Sequence, residues 1–350
     1  MRTVRALALT SRPTVSVVVP CYNYGHFLPI AVRSALDQEG VDVEVVIVDD
    51  ASTDGSQQVA RALAEADPRV HLVLHEQNKR HIATYNDGLA EATGDYVVLL
   101  SADDALAPGS LGRSTALLEA HPEVGLVYGF APTFEDELPD PRTSVRNWTV
   151  WSGAEWVDRV CRRGRNIIVN PEAVLRRSLM DDLGGYDASL PHSADMHLWM
   201  RAAALADVGR VNGPDQAFYR VHGSNMHLTD YAGQMVDMVE VRRAFDEFFV
   251  AEGARLPRAA QLGAIARRAI AREAIRVATL VVDSGGEADR ADGFVSFAID
   301  TFPAVTSSFA WRRYRARRGM PLSAVRRTVS RRIDGLVWAL RWRRWRRYGT

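Results

Sequence analysis

Apolar positions in the first third of the chain come in short unbroken runs separated by helical periods. Val15–Pro20 (VSVVVP) is a β-branched run with no polar alternation, which reads as a central parallel strand covered on both faces. A helix is predicted from about Leu28 to Gln38, a strand over Val43–Val48, and a helix to about Ala66, for which Ser52, Thr53 and Asp54 offer N-cap oxygens. Val70–His75 reads as a third strand, Ile82–Ala92 as a helix ended by Gly94, and Asp95–Leu100 as a fourth strand. A helix over Leu111–Ala120 and a strand over Val124–Phe130 follow. This alternation predicts a doubly wound parallel sheet. From about Ala131 to Ile167 the period is lost around the acidic, proline-bearing PTFEDELPDPR, and a loop-rich crossing is expected. Beyond about Tyr231 helical spacing dominates, over Met235–Phe249, Arg258–Val282 and Gly293–Asp300.

Composition narrows the class without naming it. With 350 residues, 47% of them hydrophobic, the chain can bury a sizeable core and form two domains, or one large domain with an appendage. Two cysteines, Cys21 and Cys161, are too few for a disulfide framework or a thiolate metal site. The first residues lead straight into a strand, so no secretory signal is expected. No apolar run approaches the roughly 18 residues of a spanning helix. A soluble or membrane-peripheral protein is expected.

The net charge of zero hides a polarity. From Trp311 to Thr350 there are fourteen arginines against one acid, Asp334, so that segment carries +13 and the rest −13. Such a segment suits an acidic partner surface.

Candidate chemistry lies where the predicted strands end. In open α/β sheets ligands bind outside the carboxyl ends of the strands. Here those ends read Pro20-Cys21-Tyr22-Asn23, Asp49-Asp50 and Asp103-Asp104. Each has a plain structural alternative: capping for the two carboxylate pairs and a turn for Asn23. Their convergence on one edge favours a site. Two adjacent carboxylates after a buried strand need a compensating charge. A hard cation, Mg²⁺ or Mn²⁺, that shares its coordination with a diphosphate would supply one. The first loop has no Walker-type glycine pattern and no GxGxxG. It carries aromatics that can stack on a base, while Asp49 or Asp50 can accept a base N–H.

Four blocks carry a family resemblance: TVSVVVPCYNYGHFLPIAVRSALDQ, EVVIVDDASTDGS, NKRHIATYNDGLAEATGDYVVLLSADD and SADMHLWMR. In order and spacing they resemble the inverting family 2 glycosyltransferases, over about residues 14–222. The resemblance implies a GT-A (Rossmann-like) fold: a mixed, mainly parallel sheet flanked by helices, here with a C-terminal helical extension. It implies a glycosyltransferase domain over 1–225, with a donor half at about 14–130 and an acceptor half at about 131–225, and a helical region over 226–350. Pro20, Tyr22 and Asn23 match the donor-binding loop. Asp49 or Asp50, with Asp50 favoured, matches the carboxylate that holds the base. Asn86 and Gly88 match the helix lining the donor pocket. Asp103 and Asp104 match the DxD-type element, Asp104 being the metal ligand. Asp195 matches the general base. His222, in FYRVHGSNM, is a metal or phosphate contact, a lone loop histidine being as often structural. Arg220 offers phosphate neutralisation or an ordinary surface ion pair. Three positions depart from the pattern: Tyr85 where many relatives carry Arg, Ser101 at the first acid of the element, and Ala194 before Asp195. Lys79 or Arg80 could replace the missing arginine.

The implied activity is metal-dependent transfer, with inversion, from a UDP-, GDP- or dTDP-sugar to a hydroxyl of a cell-envelope, polysaccharide or lipid-linked glycan. The competing readings are a nucleotidyltransferase and a catalytically degenerate GT-A domain serving as an assembly partner. In IDGLVWALRWRRWRRYG, Ile333, Leu336, Val337 and Leu340 share one helical face, and Trp338, Trp342 and Trp345 form another. The expectation is that the aliphatic face docks on the protein while the Trp/Arg side meets anionic lipid at the cytoplasmic face of a membrane. The alternative is a solvated helix that packs its tryptophans on the domain. No nucleic-acid partner is expected.

Overall fold

The computed structural model describes residues 1–223, 225, 233–319 and 324–349, with the side chains of 324–327 and 331 left aside. Ser224 and Met226 of the FYRVHGSNM segment lie outside the described residues, as do 320–323 of the basic segment. The chain divides into two compact units, Met1–Trp156 with Ile168–Asp230, and Val157–Ile167 with Tyr231–Thr350.

The first unit is built on β1 (Arg2–Val4), β2 (Thr14–Cys21), α1 (Leu28–Leu36), β3 (Asp42–Asp49), α2 (Ser56–Ala66), β4 (Val70–Leu74), α3 (His81–Ala90) and β5 (Tyr96–Leu99). It continues with β6 (Ala105–Leu106), α4 (Ser110–Ala120), β7 (Val124–Tyr128), β8 (Thr133–Phe134) and β9 (Asn147–Trp151), while α5 (Gly153–Arg163) begins in this unit and has most of its residues in the second. β10 (Val174–Arg176), α6 (Arg177–Leu183), α7 (Ala194–Leu205), β11 (Asp207–Asn212) and β12 (Ala217–Arg220) complete the first unit. Val15, Val17, Val18 and Val19 of β2 are all 0% exposed, as a strand covered on both faces requires.

Nine strands form one sheet in the order β1-β9-β11-β7-β10-β5-β2-β3-β4. β2, β3, β4 and β5 are mutually parallel, and β10 enters antiparallel to both β5 and β7. β9 also runs against its neighbours. The sheet is therefore mixed and mainly parallel, as the family resemblance implied, with the antiparallel strands added to the parallel order read from the alternation. The stretch expected to be loop-rich holds β9 and α5. The prolines and acids of 132–141 masked the short NWTVW strand, four of whose five residues are buried. α2 starts at Ser56 with Gly55 at its N-cap, and of the three predicted capping oxygens Asp54 Oδ1 accepts from the Ser56 N–H at 2.8 Å. Ala51 turns the chain at φ +58°, and Ser52 and Thr53 after it close the loop through N–H bonds to Asp49 Oδ1 and Asn23 Oδ1.

The register brings the strand tips together. Cys21 stands opposite Asp49, and Asp49 opposite Leu74. Asp50 N–H donates to Cys21 O at 2.9 Å, and His75 N–H to Asp49 O at 2.9 Å. A second sheet, β6-β12-β8, begins one residue after Asp104 and draws Arg220 up against it.

The second unit contains α8 (Gln234–Val250), α9 (Ala259–Ser284), α10 (Ala288–Thr301), α11 (Phe309–Gly319) and α12 (Ala324–Tyr348). Its core joins Met238, Ile275, Val281, Phe294, Val305 and Tyr314. In α12 the expected arrangement is reversed. Trp338 is held between the guanidinium groups of Arg165 (4.3 Å to the ring centroid) and Arg276 (4.9 Å). Asp334 accepts from Arg313 at 2.7 Å, and Arg346 donates to Ile167 O. Trp338 is the indole that packs, a flat ring matched to two guanidiniums that share the Glu273 carboxylate, whereas Trp342 is 39% exposed. The aliphatic face looks outward. No helix among the described residues is long and apolar enough to cross a membrane.

Candidate active site

The site grows from the loops that leave β2, β3 and β5. Asn23 adopts φ +59°, a left-handed conformation that Asn tolerates. Its Oδ1 accepts from Thr53 N–H at 2.8 Å, and its own N–H donates to Ser52 Oγ at 2.9 Å. The first and second loops are thereby fastened together, and the turn predicted at Asn23 is present. Pro20 lies within β2, and Tyr22 beyond it is 46% exposed, so its ring is available for stacking.

Asp49 and Asp50 diverge. Asp49 Oδ1 accepts from Ser52 N–H at 2.9 Å, while its Oδ2 is buried without a hydrogen-bond partner. Asp50 Oδ1 accepts from Lys79 N–H at 2.7 Å and stands 2.8 Å from His75 Nδ1. The other nitrogen of His75 is 3.1 Å from Asp87 Oδ2, and Lys79 Nζ is 2.8 Å from the same oxygen. His75 is a residue the sequence analysis read only as the end of a strand. Lys79 spends its ammonium on Asp87. At the position where relatives carry arginine, Tyr85 packs edge-on against His81 (5.5 Å) and Tyr186 (5.4 Å).

Asp103 and Asp104 are both buried. Asp104 Oδ1 accepts from Arg220 N–H at 2.9 Å, and its Oδ2 is buried without a hydrogen-bond partner. Burial, reinforced by the charge of Asp103, holds the Asp104 carboxyl well above the usual carboxylate range, against the opposing pull of Arg220. Arg220 is 4% exposed and lies between the rings of Phe134 (4.3 Å) and Phe27 (4.6 Å). Its Nε donates to Asp103 O at 2.9 Å and its Nη1 to Glu135 O at 2.8 Å. It is thus a built-in cation beside the carboxylate pair, not the surface ion pair allowed for above. His222 Nε2 is 2.9 Å from Asp103 Oδ2, and its ring packs against Tyr24 and Phe27.

Asp195 occupies the first turn of α7, with its Oδ1 2.6 Å from Met196 N; the N-cap itself is Ser193. Tyr219 links it to the strand tips. Burial and the charges of Asp104, Asp103 and Asp195 together raise the Tyr219 phenol far above its ordinary range. The three acids therefore share one neighbourhood around a tyrosine that the motif reading passed over. Asn86 and Gly88 are used differently from a free donor wall. The Asn86 amide is engaged with the Tyr186 backbone, and Gly88 faces the sheet. A Cβ at Gly88 would meet Val18 Cγ1 at 2.4 Å.

Among the described residues no three His, Cys, Asp or Glu side chains form a ready-made cation cage. The unpartnered oxygen of Asp104 beside Asp103 does suit a cation whose remaining ligands come from a diphosphate and water.

The mixed sheet with its acidic strand tips is a GT-A scaffold. Residues 16–184 match the model of glycosyl transferase family 2, and with that domain the chain is a glycosyltransferase. An uncharacterised glycosyltransferase of Nostoc sp. is 27% identical over 222 residues, spanning 61% of this chain and 67% of that one. The teichuronic acid biosynthesis glycosyltransferase TuaG of Bacillus subtilis, itself a putative assignment, is 39% identical over 93 residues. That match spans 27% of this chain and 37% of TuaG. Among solved structures, the mannosyltransferase PcManGT from Pyrobaculum calidifontis, in complex with GDP-mannose and Mn²⁺, superposes with a TM-score of 0.57 at 19% identity. It covers 99% of this chain and 86% of its own. At that identity the likeness speaks for the fold.

Proposed function

We propose that the protein transfers a glycosyl group, with inversion, from a nucleotide-diphosphate sugar to a hydroxyl of a cell-envelope polysaccharide or lipid-linked glycan. The observation that carries this reading is the buried, unpartnered Oδ2 of Asp104 in the neighbourhood shared with Asp103 and Asp195. Tyr22 stacks on the base, and Asp50, its carboxylate held by His75 and the Lys79 N–H, accepts a base N–H. Pro20, Asn23 and Asp49 shape that loop, and Asn86 and Gly88 set the wall of α3 behind it. Asp104 holds the cation, Mn²⁺ or Mg²⁺, with Asp103 and His222 beside it. A bound cation supplies neutralisation of the leaving diphosphate. Asp195 takes the proton of the acceptor hydroxyl while that oxygen bonds to the anomeric carbon. The bond from that carbon to the diphosphate oxygen breaks on the opposite face. The relative TuaG, named for teichuronic acid biosynthesis, supports an envelope acceptor. The basic helix α12 supports work at the cytoplasmic face of an anionic membrane.

The test is a thermal-shift panel of UDP, GDP, dTDP, CDP and ADP, each with and without Mn²⁺. A ligand that binds only the folded state raises its stability. A metal-dependent shift with one base is expected. A folded protein that none of the nucleotides stabilises overturns the reading.

A further inference from the structure

We infer that the outward face of α12 is a docking surface for an anionic lipid bilayer, met by its row of aliphatic side chains. This rests on the membrane-facing part of the proposed function and specifies its chemistry. Val329, Ile333, Leu336, Val337 and Leu340 follow i, i+4, i+7, i+8, i+11 spacing and so line one face. They are 51%, 56%, 62%, 42% and 57% exposed. Large apolar side chains exposed in a continuous row mark an interaction surface.

The orientation of that face follows from what occupies the other side. Trp338 stacks with Arg165 and Arg276, Asp334 pairs with Arg313, and Arg346 reaches Ile167 O. The helix is held by its polar and aromatic side, which leaves the aliphatic row to the surroundings. Arg332 and Arg341 border the row, and Arg343 and Arg344 follow it; all four are exposed. The row spans about 16 Å along the axis, the geometry of a helix lying in the interface and not crossing it. Guanidinium groups on its borders reach headgroup phosphates while the aliphatic chains enter the acyl boundary.

Charge complementarity selects this occupant. A second copy docked face to face would set arginine against arginine. A nucleic acid would take the arginines and leave five apolar side chains in water.

Vesicle co-sedimentation of the full chain tests the inference. Binding is expected to vesicles of phosphatidylglycerol with phosphatidylcholine, and not to phosphatidylcholine alone. Leu336→Gln/Leu340→Gln is expected to weaken that binding at least about tenfold, because both side chains would leave the acyl boundary. Arg343→Gln/Arg344→Gln is expected to weaken it in a salt-dependent way. All four positions are exposed, so unchanged melting temperatures confirm that folding is intact. Equal binding by the leucine variant overturns the inference. So does native binding to neutral vesicles at equal strength, a preference for duplex RNA over vesicles, or self-association in light scattering that the leucine variant loses. Nucleotide thermal shifts on the same variants separate the two readings: a variant released from vesicles that still responds to nucleotide leaves the donor site unaffected.

Discussion

Asn86 and Tyr186 are joined by two hydrogen bonds: Asn86 Nδ2 donates to Tyr186 O at 2.9 Å, and Tyr186 N–H donates to Asn86 Oδ1 at 2.8 Å. The pair ties α3, beside the donor loops, to the segment that leads into α7. Residue 185 has φ +82°, and a Cβ there would stand 2.4 Å from Asn86 Oδ1, so the approach requires Gly185. Asn86→Ala removes both bonds and is expected to destabilise the fold by about 1–3 kcal/mol. Gly185→Ala is expected to act in the same direction through strain and collision. Urea unfolding of both variants checks this; a loss under a few tenths of a kcal/mol for Asn86→Ala would refute the clamp.

Asp104→Asn separates the metal assignment from stability. Asparagine keeps an Oδ1 for the Arg220 N–H and removes a charge that burial disfavours. A carboxyl whose folded pKa is raised above its ordinary 3.8 costs the folded state stability as pH rises through that range. The variant is therefore expected to melt at or above the native temperature at pH 7. Metal-supported nucleotide binding is expected to fall by more than the about 10–100-fold that loss of an outer-shell partner costs. Calorimetric titration with and without Mn²⁺ reads both states; native-like binding would remove Asp104 from the cation site.

The parts of this molecule that could be read from the sequence were those whose physics is local. The β-branched runs of β2 and β3 and the acidic pairs that follow β3 and β5 announce buried parallel strands with polar tips. β10 did not announce itself, because three residues placed antiparallel between β5 and β7 have no periodicity to read. Arg220 was ambiguous for a related reason. Its burial depends on Phe27 and Phe134, far away in sequence, which close over the guanidinium only in the folded chain. In α12 the period revealed two faces, but which one packs depended on Arg165 and Arg276. No property of the helix itself could decide that.

Asp195→Asn tests the base role. Proton transfer by a positioned side chain contributes about 10²–10⁴-fold, and transfer is expected to fall by that factor. Donor binding is expected to stay native, since the residue sits on α7 and not on the donor loops. The loss of an acid from the first turn of α7 is expected to cost about 0.3–1 kcal/mol of stability. Product formation with a saturating donor, set against donor affinity, checks the first two. Retained turnover would return Asp195 to a purely structural part.

Cys161 carries the alkaline prediction. Its side chain is fully buried on α5, and burial pushes the thiol from 9.0 up to about 12, Asp158 adding to the rise. Between those values an unfolded chain gives up the proton and the folded chain keeps it. The unfolded state then binds fewer protons, so stability must fall as pH rises. Below pH 9 both states hold the proton and the residue contributes no slope. Cys161→Ala is expected to lessen the decline between pH 9 and about 12 by up to about 1.4 kcal/mol per pH unit, while costing a small packing loss at neutral pH. Comparison of the two unfolding free energies across that window isolates the thiol from the tyrosines, which titrate alike in both chains. Parallel curves for variant and native protein would mean that the thiol ionises as readily folded as unfolded, and that solvent reaches α5 at this position.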